Sequence, residues 1–261
     1  MVTVVIPTYN RHKSLVRAVE SVINQSITNF EIIIVNDNIN DFEVKRLIAK
    51  FEDPRCRIIS NKRHKGANGA RNSGILEAKG TYVAFLDDDD VWDAHYLEKQ
   101  IDFLETNKVF KAVFSGYKKT NYKNISTEKT FAQELITITN LIKNNFGIGA
   151  SSTLIVKIDL FKEIGLWDEK LQRFQDLELL LRILKNNYLL HNPTVLVEVP
   201  DGNQGFNIRK LFNSYGRYYK KALECTSGLS VSELISIHFF LLKKPLSLSV
   251  KYIMSQIKQK L

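Results

Sequence analysis

Residues 81–92 read TYVAFLDDDDVW. The first six are mostly β-branched or aromatic, the composition of a buried strand. Four aspartates follow, Asp87, Asp88, Asp89 and Asp90, and then Val91-Trp92. Four like charges at the end of an apolar strand repel one another and cannot be left dry. One reading supplies a divalent cation, since carboxylates are hard oxygen ligands suited to Mn2+ or Mg2+. The other is a solvated acidic turn that caps the next helix. Position favours a ligand, because open α/β sheets collect ligands at the carboxyl ends of their strands.

Upstream, residues 2–6 form an apolar strand broken by Pro7-Thr8-Tyr9-Asn10-Arg11. A helical pattern over 13–25 follows, with Leu15, Val19, Val22 and Ile23 in register. Residues 30–35 are a second apolar strand, ended by Asn36-Asp37-Asn38. A helix at 41–51, a strand at 57–60 and a helix at 66–78 lead to the aspartate strand. Strands alternating with helices predict a doubly wound, mostly parallel sheet with flanking helices. Downstream, the pattern predicts a strand at 112–117 and a polar, mobile loop at 118–129. A helix at 133–144 and a strand at 150–156 come next. A helix at 171–186 and an extended stretch at 189–199 follow, and from about 206 the chain is helical, interrupted near 226–228 and at Pro245.

The 261 residues are 44% hydrophobic and 25% charged, which excludes a disordered chain. Cys56 and Cys225 lie far apart and without metal spacing, so neither a zinc site nor a disulfide framework is indicated and a reducing compartment fits. His12, His64, His95, His191 and His238 also lack metal-ligand spacing. The N-terminal strand has no basic start or cleavage site, against a secretory signal. No apolar run reaches the length of a spanning helix. The net charge of +9 is uneven: residues 209–261 hold ten Lys/Arg against Glu224 and Glu233. The basicity belongs to that segment and says little about the rest.

Two further positions carry chemistry of their own. Asp37 ends the second strand, where a carboxylate can accept hydrogen bonds from a ribose or a base N–H, or cap a helix. Arg71, in Gly69-Ala70-Arg71-Asn72-Ser73-Gly74, opens a helix beneath the aspartates. It can reach diphosphate oxygens, brace the aspartates, or stand on the surface. The glycine spacing matches neither a dinucleotide loop nor a P-loop.

The chain resembles the family 2 inverting glycosyltransferases of the GT-A fold. The resemblance rests on VVIPTYNR (4–11), EIIIVNDN (31–38), GANGARNSG (66–74), YVAFLDDDDVW (82–92) and GLWDEKLQRFQDLELLLRI (165–183), in the family's order. It implies a GT-A, Rossmann-like domain at 1–205, with a nucleotide-binding half (1–92) and an acceptor-binding half (93–205). A basic helical extension occupies 206–261. It implies that Thr8, Tyr9 and Arg11 line the nucleotide, with Tyr9 against the base, and that Asp37 reads the uracil or its equivalent. Arg71 would sit against nucleotide and aspartates, Asp87 and Asp88 near ribose and sugar, and Asp89 on the metal. Asp176 matches the catalytic base; Gln175 stands where the family usually has Glu. The activity implied is transfer of a sugar from a nucleotide-diphosphate sugar, UDP-linked by expectation, to a glycan hydroxyl in surface polysaccharide synthesis. A lipid carrier would hold the acceptor, and Trp92 and Trp167 would pack beside the site.

Two rivals remain on sequence grounds. Asp87 to Val91 also fits the first motif of haloacid-dehalogenase-like phosphatases, which would use Asp87 and Asp89. The basic C-terminal segment allows a non-enzymatic nucleic-acid binder, although no reader motif is present and nucleic acid is not an expected partner. Leu246, Val250, Ile253, Ile257 and Leu261 form one helical stripe, with Lys251, Lys258 and Lys260 off it. Such a helix over 243–261 can lie on an anionic membrane, pack on the domain, or join two copies as a homodimer. The expected location is the cytoplasm, peripheral to the inner face of the plasma membrane.

Overall fold

Parallel strands with both faces covered read as mostly apolar runs, and three of the first four strands do so, the half-buried one at 56–60 being the exception. In the computed structural model, β1 (Val2–Thr8), β2 (Phe30–Asn36), β3 (Cys56–Ser60) and β4 (Tyr82–Phe85) lie parallel in the order β3-β2-β1-β4. Every residue of β1 and β4 is buried. Between them run α1 (His12–Ile23), α2 (Glu43–Ala49) and α3 (Ala67–Leu76). The structure describes residues 1–38, 40–121, 125–130, 135–143, 151–186, 189–200 and 208–226, with Leu234, Ile237 and Leu241.

β1 does not stop before Pro7, as the pattern predicts, but runs to Thr8. The Val5 carbonyl accepts from the Leu86 N–H on the β4 side, and Pro7 faces that same side two residues on. β4 pairs with β1 only as far as Val5, whereas β2 accompanies it to Thr8. The missing proline N–H therefore breaks no ladder bond.

The sheet continues beyond β4 through β5 (Val91–Trp92), β6 (Ala112–Thr120), β9 (Leu154–Lys157) and β10 (Leu189–Pro200), in the order β4-β9-β6-β10-β5. β9 is antiparallel to both β4 and β6, so this half is mixed rather than doubly wound. The remaining elements are β7 (Ser126–Lys129), β8 (Leu135–Ile136), α4 (Tyr96–Thr106), α5 (Ile138–Lys143), a 3-10 turn at Ser151–Thr153, α6 (Leu160–Ile164), α7 (Gln175–Asn186) and α8 (Ile208–Cys225).

Three sequence expectations need correction. Within the 118–129 stretch, expected as a mobile loop, β6 extends to Thr120 and pairs antiparallel with β7. Its polarity reflects an exposed edge hairpin, since all of β7 faces solvent. The 133–144 stretch is not one helix: Leu135 and Ile136 pair with β10 before α5 begins. α7 starts at Gln175 rather than at 171, leaving 171–174 irregular. The stripe at 243–261 lies outside the described residues.

Two apolar layers cover the sheet. One joins Val5, Val83 and Phe85 to Ala70 of α3, Leu180 of α7 and Tyr218 of α8. The other joins Val4, Ile6 and Ile34 to Leu15 of α1, Val44 of α2 and Leu97 of α4. Both cysteines are free. Among the described residues no helix is long and apolar enough to cross a membrane.

One ion pair ties α7 to its neighbour. Glu178, 4% exposed, accepts both Arg182 Nε (2.8 Å) and Nη2 (2.7 Å), while Nη1 donates to the carbonyls of Ile164 and Gly165 after α6. Removing one partner leaves a buried charge uncompensated, which costs more than the pair contributes. Arg182→Ala should therefore destabilise the fold by about 3 kcal/mol in urea titration, and Glu178→Leu/Arg182→Met should recover most of that loss. Equal loss in the double variant would show that packing, not charge, holds this joint.

Candidate active site

The carboxyl ends of β1, β2 and β4 meet above α3, and the strand-end residues quoted from the sequence converge there. A cleft of about 320 Å³ is lined by Thr8, Tyr9 and Arg11 from the end of β1, Asp37 from β2, Arg71 from α3, and Asp87, Asp88 and Asp89 after β4. Gln172 and Gln175 close it from the other half. Of the residues singled out from the sequence, Asp176 does not line this cleft.

Arg71 is the centre of the arrangement. It is 3% exposed, which removes the surface alternative. Its Nη2 donates to Asp87 Oδ1 (2.6 Å) and to Ser151 Oγ (2.6 Å), and Nη1 donates to Asn68 Oδ1 (3.0 Å). The guanidinium also sits over the Trp167 ring at 4.9 Å. Arg71 thus braces the first aspartate from below.

The other aspartates are each held differently. Thr8 Oγ1 donates to Asp88 Oδ2 (2.8 Å), and Arg11 Nη1 bridges Asp88 Oδ1 (3.0 Å) and Asp89 Oδ2 (2.5 Å). Ser152 Oγ donates to Asp90 Oδ2 (2.5 Å). Burial pushes the Asp88 carboxyl up to about 6, against the pull of Thr8 and Arg11. Burial, then the charge of Asp87, raises Asp90 as well, and burial raises Asp89. The solvated acidic turn is therefore not what forms: Asp88 and Asp90 are 5% and 3% exposed.

Ser151 and Ser152 belong to this arrangement and were not singled out from the sequence. Both sit in the 3-10 turn before β9, and Ser151 Oγ also donates to Asp87 Oδ1 (3.0 Å). The Ser152 carbonyl accepts from Trp92 Nε1 (2.7 Å), so Trp92, like Trp167, packs beside the site as expected. The only signal was a run of hydroxyl residues, Ser151-Ser152-Thr153, just before a strand.

Asp37 is not the cap of α2, which begins after Phe42. Its Oδ1 accepts from Asn61 Nδ2 (2.6 Å) and its Oδ2 from the Gly66 N–H (2.9 Å). It therefore fixes the 61–66 loop, of which Lys65 and Gly66 line an adjoining pocket that shares Tyr9, Asp37 and Gln175 with the cleft, with one lone pair left on each oxygen. Gly66 has φ 125°, which glycine adopts without strain. Gly69 is equally constrained, since a Cβ there would stand 1.8 Å from the His64 carbonyl oxygen. Tyr9 is 45% exposed, and Lys65 Nζ lies 4.9 Å over its ring.

Asp176 enters from α7. Burial pushes its carboxyl up to about 6; the Arg71 charge pulls it down, Asp87 pushes it up, and the Ser151 backbone N–H supports the ionised form. Its Oδ1 is out of solvent and has no hydrogen-bond partner. It thus stands within the field of the cluster, one residue behind Gln175. Gln175 Nε2 donates to the Leu171 carbonyl (3.0 Å), a bond that a glutamate could not make.

The model described as Glycosyl transferase family 2 matches residues 3–165. The chain belongs to that family. The putative teichuronic acid biosynthesis glycosyltransferase TuaG of Bacillus subtilis is 33% identical over 192 residues, 72% of this chain and 73% of that protein. The UDP-Glc:alpha-D-GlcNAc-diphosphoundecaprenol beta-1,3-glucosyltransferase WfgD of Escherichia coli is 32% identical over 155 residues, 59% of this chain and 60% of that one. Against a second E. coli protein with that activity in its name, WfaP, the match covers only 48% of the relative. The chain therefore spans about half to two thirds of several curated relatives it matches. S. aureus TarS 1–349 in complex with UDP-GlcNAc superposes with a TM-score of 0.75 over 94% of this chain and 72% of that one, at 18% identity. That likeness shows the GT-A fold. Neither rival from the sequence gains support, and the phosphatase reading would need Asp87 as a free nucleophile where Arg71 and Ser151 hold it.

The electrostatics have a stability signature. A carboxyl whose folded pKa is raised opposes folding once it ionises. Its penalty is absent below the ordinary carboxylate pKa and grows as pH rises to the folded value. For Asp88 that window runs from about pH 4 to about 6. Asp88→Asn should match wild type in urea stability below this window and exceed it by roughly 1–2 kcal/mol at about pH 8. A difference that is constant across pH would contradict the burial of this carboxyl as the cause.

Proposed function

We propose that this chain is a metal-dependent inverting glycosyltransferase. It would move one sugar from a UDP-sugar to a hydroxyl of a glycan carried on a lipid diphosphate. The observation that carries the reading is the convergence of Arg11, Arg71 and the aspartates after β4 on one cleft, with Asp176 reaching the same cluster from α7. The names of WfgD and TuaG, which give a diphosphoundecaprenol-linked acceptor and teichuronic acid biosynthesis, support the setting.

The chemistry follows from these groups. The acceptor oxygen attacks the anomeric carbon and forms the new C–O bond. The bond from that carbon to the diphosphate oxygen breaks on the opposite face, and its electron pair leaves with the nucleoside diphosphate. Asp176 takes the acceptor proton. A carboxyl raised to about 6 is ionised at neutral pH yet more basic than a solvated aspartate, which suits a general base. Tyr9 and Asp37 form the wall for the base and ribose, in the donor half at 1–92. The acceptor would lie against the half at 93–205.

The donor set fits Mn2+ or Mg2+. Among the described residues no three His, Cys, Asp or Glu converge as a ready-made cage. Mg2+, however, commonly takes one or two carboxylates and completes its shell with substrate phosphates and water. Asp89 faces the cleft and offers that carboxylate, with Asp87 and Asp88 beside it. When bound, the ion would neutralise charge developing on the leaving diphosphate. Arg11, already between Asp88 and Asp89, would keep that charge pattern fixed before a donor arrives. The stripe at 243–261 supports placing the enzyme on the inner membrane surface, where a lipid-linked acceptor resides.

A screen of UDP-sugars with an N-acetylglucosaminyl-diphospholipid acceptor tests the activity directly. Asp89→Ala should abolish transfer and metal-dependent UDP binding with the fold intact, whereas full activity in EDTA would remove the metal. Asp176→Asn should lower turnover by at least about 10²-fold at unchanged donor affinity. Lost donor binding with surviving turnover would make Asp176 a binding residue.

A further inference from the structure

Phe174 is the residue before α7, and it has φ 60°, the left-handed region that bulky side chains avoid. A strained backbone persists only where its surroundings impose it. The surroundings here come from α8. The Phe174 ring stacks on Tyr218 (centroids 5.2 Å, planes 19° apart) and meets Tyr215 edge-on (5.6 Å, 70°). Two residues earlier, the Gln172 N–H donates to Ser214 Oγ (3.3 Å). Tyr218 is fully buried and Tyr215 and Ser214 nearly so. α8 therefore grips residues 172–174 at a backbone bond and at a ring, two positions before Asp176. It also lies outside the stretch matched by the family model, which ends at 165.

We infer that Phe174 is a positioning residue, and that the clasp by Tyr215 and Tyr218 of α8 aims Asp176 at the reacting centre. This rests on Asp176 being the base proposed above. Asp176 is the second residue of α7, so its direction is set by how the chain turns into the helix. Its buried Oδ1 has no partner, so beyond the Ser151 backbone N–H on the carboxylate, the backbone direction at the helix start decides where the side chain points. The turn is set by the left-handed residue, and that residue is held by the two rings. Gln172 and Gln175, on either side of Phe174, line the cleft, so the same clasp sets the wall next to the base.

The test uses the full chain, with UDP titration for donor binding and UDP-glucose, or the UDP-sugar found in the screen, for turnover. Phe174→Ala and Tyr218→Leu should each lower kcat about tenfold or more while donor KM stays within about twofold. The acid limb of the pH–rate profile, set by Asp176 near 6 in the wild type, should move towards the ordinary carboxylate range as the side chain swings into solvent. Tyr218→Phe keeps the ring and should behave as wild type. The double variant should lose no more than either single one, because one clasp is being removed. Hydrogen exchange gives a reading independent of turnover: amides 172–178 should exchange faster in Phe174→Ala, with those of β1 and β4 unchanged. If Tyr218→Leu does not fold, Phe174→Ala decides, since Phe174 is half-buried and outside any element. Unchanged kcat, pH limb and exchange in Phe174→Ala, with Asp176→Asn inactive, would overturn the clasp alone. An active Asp176→Asn would overturn the base assignment instead.

Discussion

A buried guanidinium under a row of carboxylates is the interaction on which this molecule depends. Arg71 lies on the first turns of α3, a helix whose residues 68–75 are all buried. An arginine there has no water, so every contact it makes must be with protein. It finds Asp87 on one side, Asn68 and Ser151 on others, and the face of Trp167. Apart from Asn68, on α3 itself, those partners come from three separate parts of the chain. The strand after which Asp87 falls, the turn before β9 and the segment that follows α6 are thereby fixed about one cation. Losing the arginine would leave the partly exposed Asp87 beside Asp90 and Asp176 with only the more exposed Arg11 as counter-charge, a costly arrangement for neighbouring carboxylates.

The second half of the chain is built around that constraint. β9 enters between β4 and β6 antiparallel to both, and this brings Ser151 and Ser152 to the carboxyl end of β4. Asp87 and Asp90 each obtain a hydroxyl from this turn, and Trp92 obtains a carbonyl. A parallel strand in that place would have presented its other end. The mixed topology is thus the means by which a second supply of donors reaches the aspartates. Asn72 plays the matching part on the other side: it donates to the Trp167 carbonyl (2.9 Å) and to Glu169 (2.8 Å), holding the segment that carries Trp167 against α3. Glu169 in turn accepts the His64 N–H (3.2 Å) and pairs with Arg63, which closes the loop beside Asp37.

The sequence was most informative where one physical demand acts on consecutive residues. Three of the four parallel strands are buried on both faces and continuous apolar runs reveal them, while β3, half-buried at the sheet edge, shows only Ile58-Ile59; all four have ends correct to within two residues. Asp37 and the aspartates after β4 were legible for the same reason, since polar residues that stop such runs have few other tasks; Thr8, Tyr9 and Arg11 came only with the family's pattern. The edge hairpin of β6 and β7 was hidden because a solvent-facing strand and a loop share a polar composition. β8 was hidden because two residues cannot show a period. Ser151 and Ser152 were hidden because a serine carries no chemistry until a carboxylate is placed next to it. Asp176 was legible only through the family's pattern; its own neighbours in sequence show a helix start and nothing more.

The charge balance of the cleft explains why such a costly cluster can be kept. Asp87, Asp88, Asp89, Asp90 and Asp176 face two guanidinium groups, Arg11 and Arg71, so full ionisation leaves an excess of negative charge. A dianionic diphosphate would add to it. Two responses are open to a site of this kind, and they compete: carboxyls can hold protons, or the site can take up a divalent cation. Asp90, raised to about 8, is the first response at neutral pH, and Asp88 and Asp176, raised to about 6, join it only in mild acid. The second requires those protons to leave, so cation and proton bind in opposition, and anything that neutralises the aspartates favours the fold while anything that ionises them readies the site. Arg71 is common to both states, because buried Asn68, Ser151 and Trp167 hold it in place whichever charge occupies the open side. Arg11 is not: nearly half-exposed at the mouth of the cleft, it bridges Asp88 and Asp89 from the solvent side. Of the two cations, the buried one is held on several sides by protein, and the exposed one pairs, among the described residues, only with carboxylates that themselves face the cleft.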